Sequence, residues 1–348
     1  VRPSRPWVFA VEPDAAQVTW RHDEDGRPGL RTFTGLTPGS RHQLAIDELA
    51  TTVEVTTPHP PPGEEVYRFA TISDTHIGCT YFGYLGRMRE PPALVAHAER
   101  CLRSAVDDAL AWGARLLIVK GDVTHRSRIE EWKAVGRVLS GVPVPVAVVP
   151  GNHDVYGRRT VDPQPELARN GLHLVHGVEA MDLPGVRILL GDTAIPGANR
   201  GRIAGLQDEI ARRCARAPGA VIVALHHHIE HLPVPTYLPR GIPAAEGRAF
   251  LRAIAAANPK VFVTTGHSHR YRLHASDPVP WSEVGSTKDF PGGWAGYVVH
   301  EGGVRQVVRR VTEPSVLPWL EHTRRAALGA WQLWSPGRLE DRCFTIPW

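Results

Sequence analysis

Five short segments of this chain carry residues that could do metal chemistry. In order they read Asp74-Thr75-His76, Gly121-Asp122, Gly151-Asn152-His153-Asp154, His226-His227-His228 and Gly266-His267-Ser268-His269. Together they supply enough oxygen and imidazole donors for two metal ions. Carboxylate and imidazole donors suit zinc, manganese and iron, and no thiolate is among them. Asp74 and His76 are two apart and can turn toward one ion where the chain leaves a strand. Asp122 has two carboxylate oxygens and can bridge two ions. Asn152 offers a neutral carbonyl oxygen, and His226, His267 and His269 offer nitrogens. Two divalent cations about 3.5–4 Å apart clamp the attacking and leaving oxygens of an in-line displacement and bring the pKa of a bound water down toward 7. Phosphate esters suit this chemistry best, because their transition state spreads negative charge over several oxygens.

Donors scattered over about 200 residues need a scaffold that gathers them, and an open α/β sheet does this at the carboxyl ends of its strands. Each segment follows a short apolar run, at 66–73, 116–119, 146–149, 221–225 and 261–264, and a further run lies at 186–190. These read as buried strands. Between the first two, Leu94, Val95, Ala98, Cys101, Leu102, Val106, Ala109 and Leu110 fall at helical spacing, so 93–112 is expected to be a helix ended by Gly113. A second helix is expected over 245–257, before Asn258-Pro259. Alternating strands and helices predict an α/β layered core. Residues 282–311 return to β character. In the tail, 317–333 could be helical, with Trp319, Trp331 and Trp334 packing it on the body.

Residues 1–57 read as all-β. Short β-branched or aromatic runs at 7–11, 16–20, 31–33, 43–46 and 52–55 are separated by turn residues, including 23–26 and Thr37-Pro38-Gly39. Gly35-Leu36-Thr37-Pro38-Gly39, with Val55-Thr56-Thr57-Pro58 after it, resembles a fibronectin type III module. Residues 58–65 contain Pro58-His59-Pro60-Pro61-Pro62-Gly63, a stiff extended linker by composition. The expected organisation is therefore a β domain at 1–57, a linker at 58–65, a catalytic domain at 66–312 and an extension at 313–348 packed on it.

With 348 residues, 42% of them hydrophobic, the chain is ordinary for a globular protein. The formal net charge of +4 is too small to argue for nucleic acid. Cys79, Cys101, Cys214 and Cys343 show no CxxC spacing, so neither a zinc ribbon nor a disulfide framework is indicated. No apolar run is long enough to span a membrane. A reducing, cytoplasmic setting is the default expectation. Secretion stays open, because the chain begins at Val1 and not at Met.

The five segments in this order resemble the signature of the calcineurin-like metallophosphoesterase superfamily: DxH, GD, GNHD, a histidine pair and GHxH. The resemblance covers roughly 66–312. It implies two β-sheets packed face to face and flanked by helices, preceded here by the small all-β sandwich-like domain. It implies one transition-metal ion held by Asp74, His76, Asp122 and His269, and a second held by Asp122, Asn152, His226 and His267, with manganese, iron or zinc as the candidates. It places His153 beside the leaving group and gives Asp154 the role of orienting His153.

Two details are similar to the cyclic-nucleotide and glycerophosphodiester phosphodiesterase branch: Leu190-Gly191-Asp192-Thr193, followed by Gly201 and a helix, and the histidine pair itself. His228-Ile229-Glu230-His231 departs from that branch, where prolines usually follow the pair. An N-terminal fibronectin-like domain is a feature of purple acid phosphatases, but Gly121-Asp122-Val123-Thr124-His125 lacks their tyrosine ligand. His125, Arg126 and Arg128 are candidates to contact a substrate phosphate, or else form a solvated loop paired with Glu130 and Glu131. Tyr81, Phe82 and Tyr84 are candidates to stack on a base. Cys79 reads as a bystander. The favoured reading is a dinuclear metal phosphodiesterase, acting through a metal-activated hydroxide on a small nucleotide or glycerol-type diester. Its rivals are a broad-specificity phosphomonoesterase, a nuclease and a non-catalytic metal-binding scaffold. A small phosphoester is the expected partner, with no membrane or nucleic-acid partner; the oligomeric state is left open.

Overall fold

The apolar runs form two six-stranded sheets packed against each other. The computed structural model describes residues 6–21, 27–83, 86–155, 161–231 and 239–348; the 23–26 turn signal and Tyr84 lie outside them. In the first sheet the order is Val146–Val149, Leu117–Lys120, Glu65–Ile72, Gly293–His300, Gly303–Arg310 and Cys343–Pro347. Its first three strands are parallel and the others antiparallel. In the second the order is Val178–Leu183, Val186–Gly191, Ala220–Leu225, Val261–Thr265, Trp281–Glu283 and Arg272–His274. The chain alternates through Ala220–Leu225: Ile222 and Ala224 join the core between the sheets, whereas Val221, Val223 and Leu225 join a second core. That second core includes Ile210 of helix Gln207–Ala215 and Phe250, Leu251 and Ile254 of helix Ala244–Ala257. A strand covered on both faces needs apolar residues at every position, which is why these runs are unbroken. Between the sheets, the Tyr297 hydroxyl meets Thr264 Oγ1 at 2.7 Å.

The strands that precede the five segments lie where the sequence predicts them. The first helix begins at His97, not at 93, because Leu94 is fully exposed and contributes nothing to the buried face. Helix Ile129–Leu139, which buries Trp132, Val135, Val138 and Leu139, was not among the expectations. The tail is not one helix over 317–333. It breaks into Leu317–Thr323 and Trp331–Trp334, with Ala327 and Leu328 in the left-handed region between them. Its last residues, Cys343–Pro347, add an unforeseen edge strand to the first sheet.

The β-rich N-terminal region is present. Trp7–Val11, Ala15–Arg21 and Pro28–Thr34 form one antiparallel sheet, and Arg41–Ile46 pairs with Thr51–Thr56. It is bonded directly to the body. Buried Arg310 donates to Thr19 Oγ1, Arg342 to the Phe9 carbonyl and Arg305 to the Val11 carbonyl. The 58–65 segment also lies on the body, with Pro61 buried and the Pro62 carbonyl accepting from Gly302. Among the described residues the four cysteines are free and buried, and no helix is long and apolar enough to cross a membrane.

Candidate active site

All five segments leave the carboxyl ends of strands, three from the first sheet and two from the second, so their loops meet across the gap between the sheets. Asp74, His76, Asp122, His267 and His269 have positive φ, between 44° and 70°. A left-handed non-glycine residue costs on the order of 1–3 kcal/mol and clusters at functional sites. Two motif glycines have a steric reason. A Cβ on Gly151 would lie 2.1 Å from the Asp122 nitrogen, and one on Gly266 would lie 2.1 Å from Ser73 Oγ.

The seven candidate ligands converge in two groups. In one, His76 Nε2 lies 3.0 Å from His269 Nε2, and His269 Nε2 lies 3.5 Å from Asp74 Oδ1. In the other, His226 Nε2 lies 3.3 Å from Asn152 Oδ1 and 3.2 Å from His267 Nδ1. Asp122 faces both: its Oδ2 is 3.7 Å from His76 Nε2 and its Oδ1 is 3.3 Å from His226 Nε2. Asp74 Oδ1 is buried with no hydrogen-bond partner, while Oδ2 accepts from Ser73 and the His267 backbone. An orphaned carboxylate oxygen beside converging ring nitrogens fits a cation bound between them. His267 Nε2 meets the Arg240 carbonyl at 2.9 Å, which leaves Nδ1 as its lone-pair face.

The charges are strongly coupled. Burial alone would raise the Asp122 carboxyl, but His226, His153 and His76 outweigh it and hold the group well below the usual range. Burial raises Asp74. Burial opposes charge on His226 and His269, yet Asp122 beside the first, and Asp289 and Asp74 beside the second, lift both to about 9.

The other candidates fall into place around this centre. His153 Nδ1 lies 2.8 Å from the His125 carbonyl, its ring stacks on His125, and His125 Nε2 meets the Tyr81 hydroxyl at 2.9 Å. Asp154 does not orient the His153 ring. Its two oxygens accept from the backbone of Val123, Thr124 and Gly151 and from Thr124 Oγ1, so it ties the two loops together. Arg126 and Arg128 are exposed, and it is their backbone N–H groups that Glu131 holds. Phe82 packs edge-on against Trp331, and the Cys79 thiol donates to the Tyr81 carbonyl. The histidine triplet is wholly buried, with Thr193 Oγ1 2.8 Å from His227 Nδ1. Four neighbours of the site escaped the sequence reading. Asp289 Oδ2 lies 2.7 Å from His269 Nδ1, Asn199 meets the Asn152 amide, Lys288 Nζ donates to the Tyr81 carbonyl, and buried Lys120 donates to Thr264 and Thr265. No motif spacing marks any of them.

The fold and the clustered donors define a metal-dependent hydrolase of phosphoric esters. The family model for calcineurin-like phosphoesterase matches residues 67–271, and the chain belongs to that family. A probable cyclic nucleotide phosphodiesterase from Psychrobacter sp. strain PRwf-1 is 25% identical over 185 residues, covering 50% of this chain and 52% of that protein. One from Psychrobacter arcticus is 25% identical over 198 residues, covering 52% of this chain and 67% of its own. The match thus spans only about half of the first relative's length. Among solved structures, a dimetal phosphatase from Danio rerio shares the fold with a TM-score of 0.54 at 15% identity, over 72% of this chain and 98% of that one.

Proposed function

We propose that this protein is a dinuclear metal-dependent phosphodiesterase acting on a small nucleotide or glycerol-type phosphodiester. The observation that carries the reading is Asp122, whose two oxygens face two different sets of donors. Asp74, His76, Asp122 and His269 would hold one ion, and Asp122, Asn152, His226 and His267 the other. When bound, the ions supply Lewis acidity to the phosphoryl oxygens and make water acidic enough to act as a nucleophile near neutral pH.

The chain's own residues do the rest. The His125 carbonyl can only accept, so the first proton on His153 sits at Nδ1, and the ring would serve the leaving oxygen with a second proton taken up at Nε2. Tyr81 steadies His125 beneath it. The names of the two Psychrobacter relatives support a diester over a monoester. The test is a hydrolysis screen of metal-reconstituted protein against cyclic nucleotides, glycerophosphodiesters, nucleotide monoesters and single-stranded DNA. Faster turnover of monoesters or of DNA than of small diesters would overturn the substrate assignment.

A further inference from the structure

His228-Ile229-Glu230-His231, the stretch that departs from the phosphodiesterase pattern, ends at a second group of metal-type donors. His231 Nε2 lies 2.6 Å from His274 Nδ1. The nitrogens of both and a carboxylate oxygen of Asp277 all lie within 4.8 Å of one another. His274 ends the edge strand Arg272–His274, which pairs with Trp281–Glu283, and Asp277 sits in the connection between them. Two donors therefore come from one hairpin at the sheet edge, and the third comes from the end of the histidine loop.

We propose that His231, His274 and Asp277 form a third, mononuclear site for a zinc-type divalent cation, distinct from the two ions gathered by Asp122. The donors are preset for it. His274 Nε2 lies 2.7 Å from Glu283 Oε1. Glu283 is buried and takes two parallel bonds from Arg270 at 2.7 and 2.8 Å. A carboxylate held by both arms of a guanidinium acts as an acceptor. An ionised carboxylate only accepts, so His274 carries its proton on Nε2 and presents the lone pair of Nδ1. A carboxylate behind the remote nitrogen is the usual support of a metal-ligating histidine.

Trp281 fixes the other two coordinates. Its ring stacks on His274 with centroids 3.7 Å apart, and its indole N–H donates to Asp277 Oδ2 at 2.6 Å. A carboxylate has a second oxygen, which Asp277 can offer to a cation.

Two nitrogens held at about 2.0–2.1 Å by one tetrahedral zinc ion stand about 3.3 Å apart. The rings meet at 2.6 Å, so they part slightly to admit the ion. Imidazole nitrogens also crowd at 3.0 and 3.2 Å in the Asp122 centre, which belongs to a metallophosphoesterase. Two imidazoles and one carboxylate leave an open position on zinc. His231 is exposed, so an ion reaches the site from solvent. His231 and His274 lie five residues beyond His226 and His269, so the third ion would pin loops that carry ligands of the other two.

The test is zinc content. Chelator-stripped full-length protein is incubated with a small excess of zinc and desalted, and the metal is counted by mass spectrometry. His231→Ala, at an exposed loop position, and Asp277→Asn, which keeps the side-chain shape, should each bind one zinc ion fewer than the unaltered chain. Both should retain the circular dichroism of the parent. The readout is the difference between variant and parent, so it is independent of how many ions Asp122 gathers and of whether the substrate is a diester. Equal zinc content in parent and variants would overturn the proposal and leave the three residues as a hydrogen-bonded cluster.

Discussion

Asp289 holds His269 from behind: Oδ2 of the carboxylate lies 2.7 Å from Nδ1, and the opposite ring nitrogen turns toward Asp74. The carboxylate fixes the tautomer, so Nε2 is the nitrogen left to ligate. It also makes the ring a stronger donor. Removing such a support typically costs about 10–100-fold in metal affinity or activity. Asp289→Asn should therefore weaken retention of one ion by that factor with the fold intact. A chelator competition series alongside kcat/KM measures it. Unchanged retention would show that Asp289 only packs.

Asp122→Ala should release both ions, because the same carboxylate faces both donor groups. The activity loss should exceed the about 10²–10³-fold typical of removing one preorganised electrostatic group. Metal content and turnover are measured together. One ion retained, or near-parental activity, would count against the bridge.

Gly151→Ala tests the packing under that bridge. The new Cβ would lie 2.1 Å from the Asp122 nitrogen and 2.3 Å from its Oδ1, so Asp122 has to move. A displacement near 1 Å in a catalytic array costs about 10²-fold. Activity should drop by at least that much while circular dichroism stays unchanged. Gly141→Ala makes the control, since a Cβ there meets nothing within 4 Å and only its positive φ opposes the change.

The clustered candidate donors were legible because each follows its own strand within a few residues, as Asp74 follows Glu65–Ile72 and His267 follows Val261–Thr265. The inner strands of both sheets were legible because doubly covered strands leave unbroken apolar runs; Val178–Leu183, Arg272–His274 and Cys343–Pro347 carry no such run and were not expected. What was hidden depends on chain reversals that carry no local pattern. Asp289 reaches His269 only because the chain turns back after Glu283, and Asp154 braces Val123 and Thr124 only once two loops have met. The docking of the N-terminal strands was equally hidden. It rests on Arg310 and Arg342, whose partners at Thr19 and Phe9 lie about 300 residues away in the chain, and no sequence window relates them.

His97 makes the fold acid-sensitive in a stated direction. It is buried at the start of its helix, with Nε2 2.9 Å from the Lys288 carbonyl. Burial lowers its pKa from 6.5 to about 3. The folded state therefore favours the neutral ring. That stability is fully present above the unfolded pKa of 6.5 and is lost as pH falls from there toward 3. His97→Gln keeps a donor for the Lys288 carbonyl and removes the titration. The variant should be less stable than the parent near neutral pH, and the gap should close or reverse by about pH 4. Thermal unfolding across that range reads it. A gap that does not change with pH would rule His97 out as the titrating group.

His153 should matter in proportion to how much help the leaving group needs. Its Nδ1 proton is committed to the His125 carbonyl, and its ring lies edge-on to His76 with centroids 4.7 Å apart. The ring is thus beside the proposed metal ligands while its Nδ1 is already engaged by protein. To act on the leaving oxygen the ring must carry a second proton, on Nε2, and a positioned proton donor contributes about 10²–10⁴-fold. An alkoxide leaving group, as in a cyclic nucleotide or a glycerol diester, needs that proton. A nitrophenolate is stable without it. His153→Ala should therefore lower kcat/KM for the alkyl diester by a factor in that range, and by much less for a nitrophenyl diester. Metal content should stay at the parental level, since the ligand assignment gives His153 no ion to hold. Comparing both substrates in parent and variant, with metal counted in each, separates the possibilities. Equal losses on the two substrates would mean that His153 acts on binding or packing and not on the leaving oxygen. Loss of an ion would move it into the ligand set beside His76.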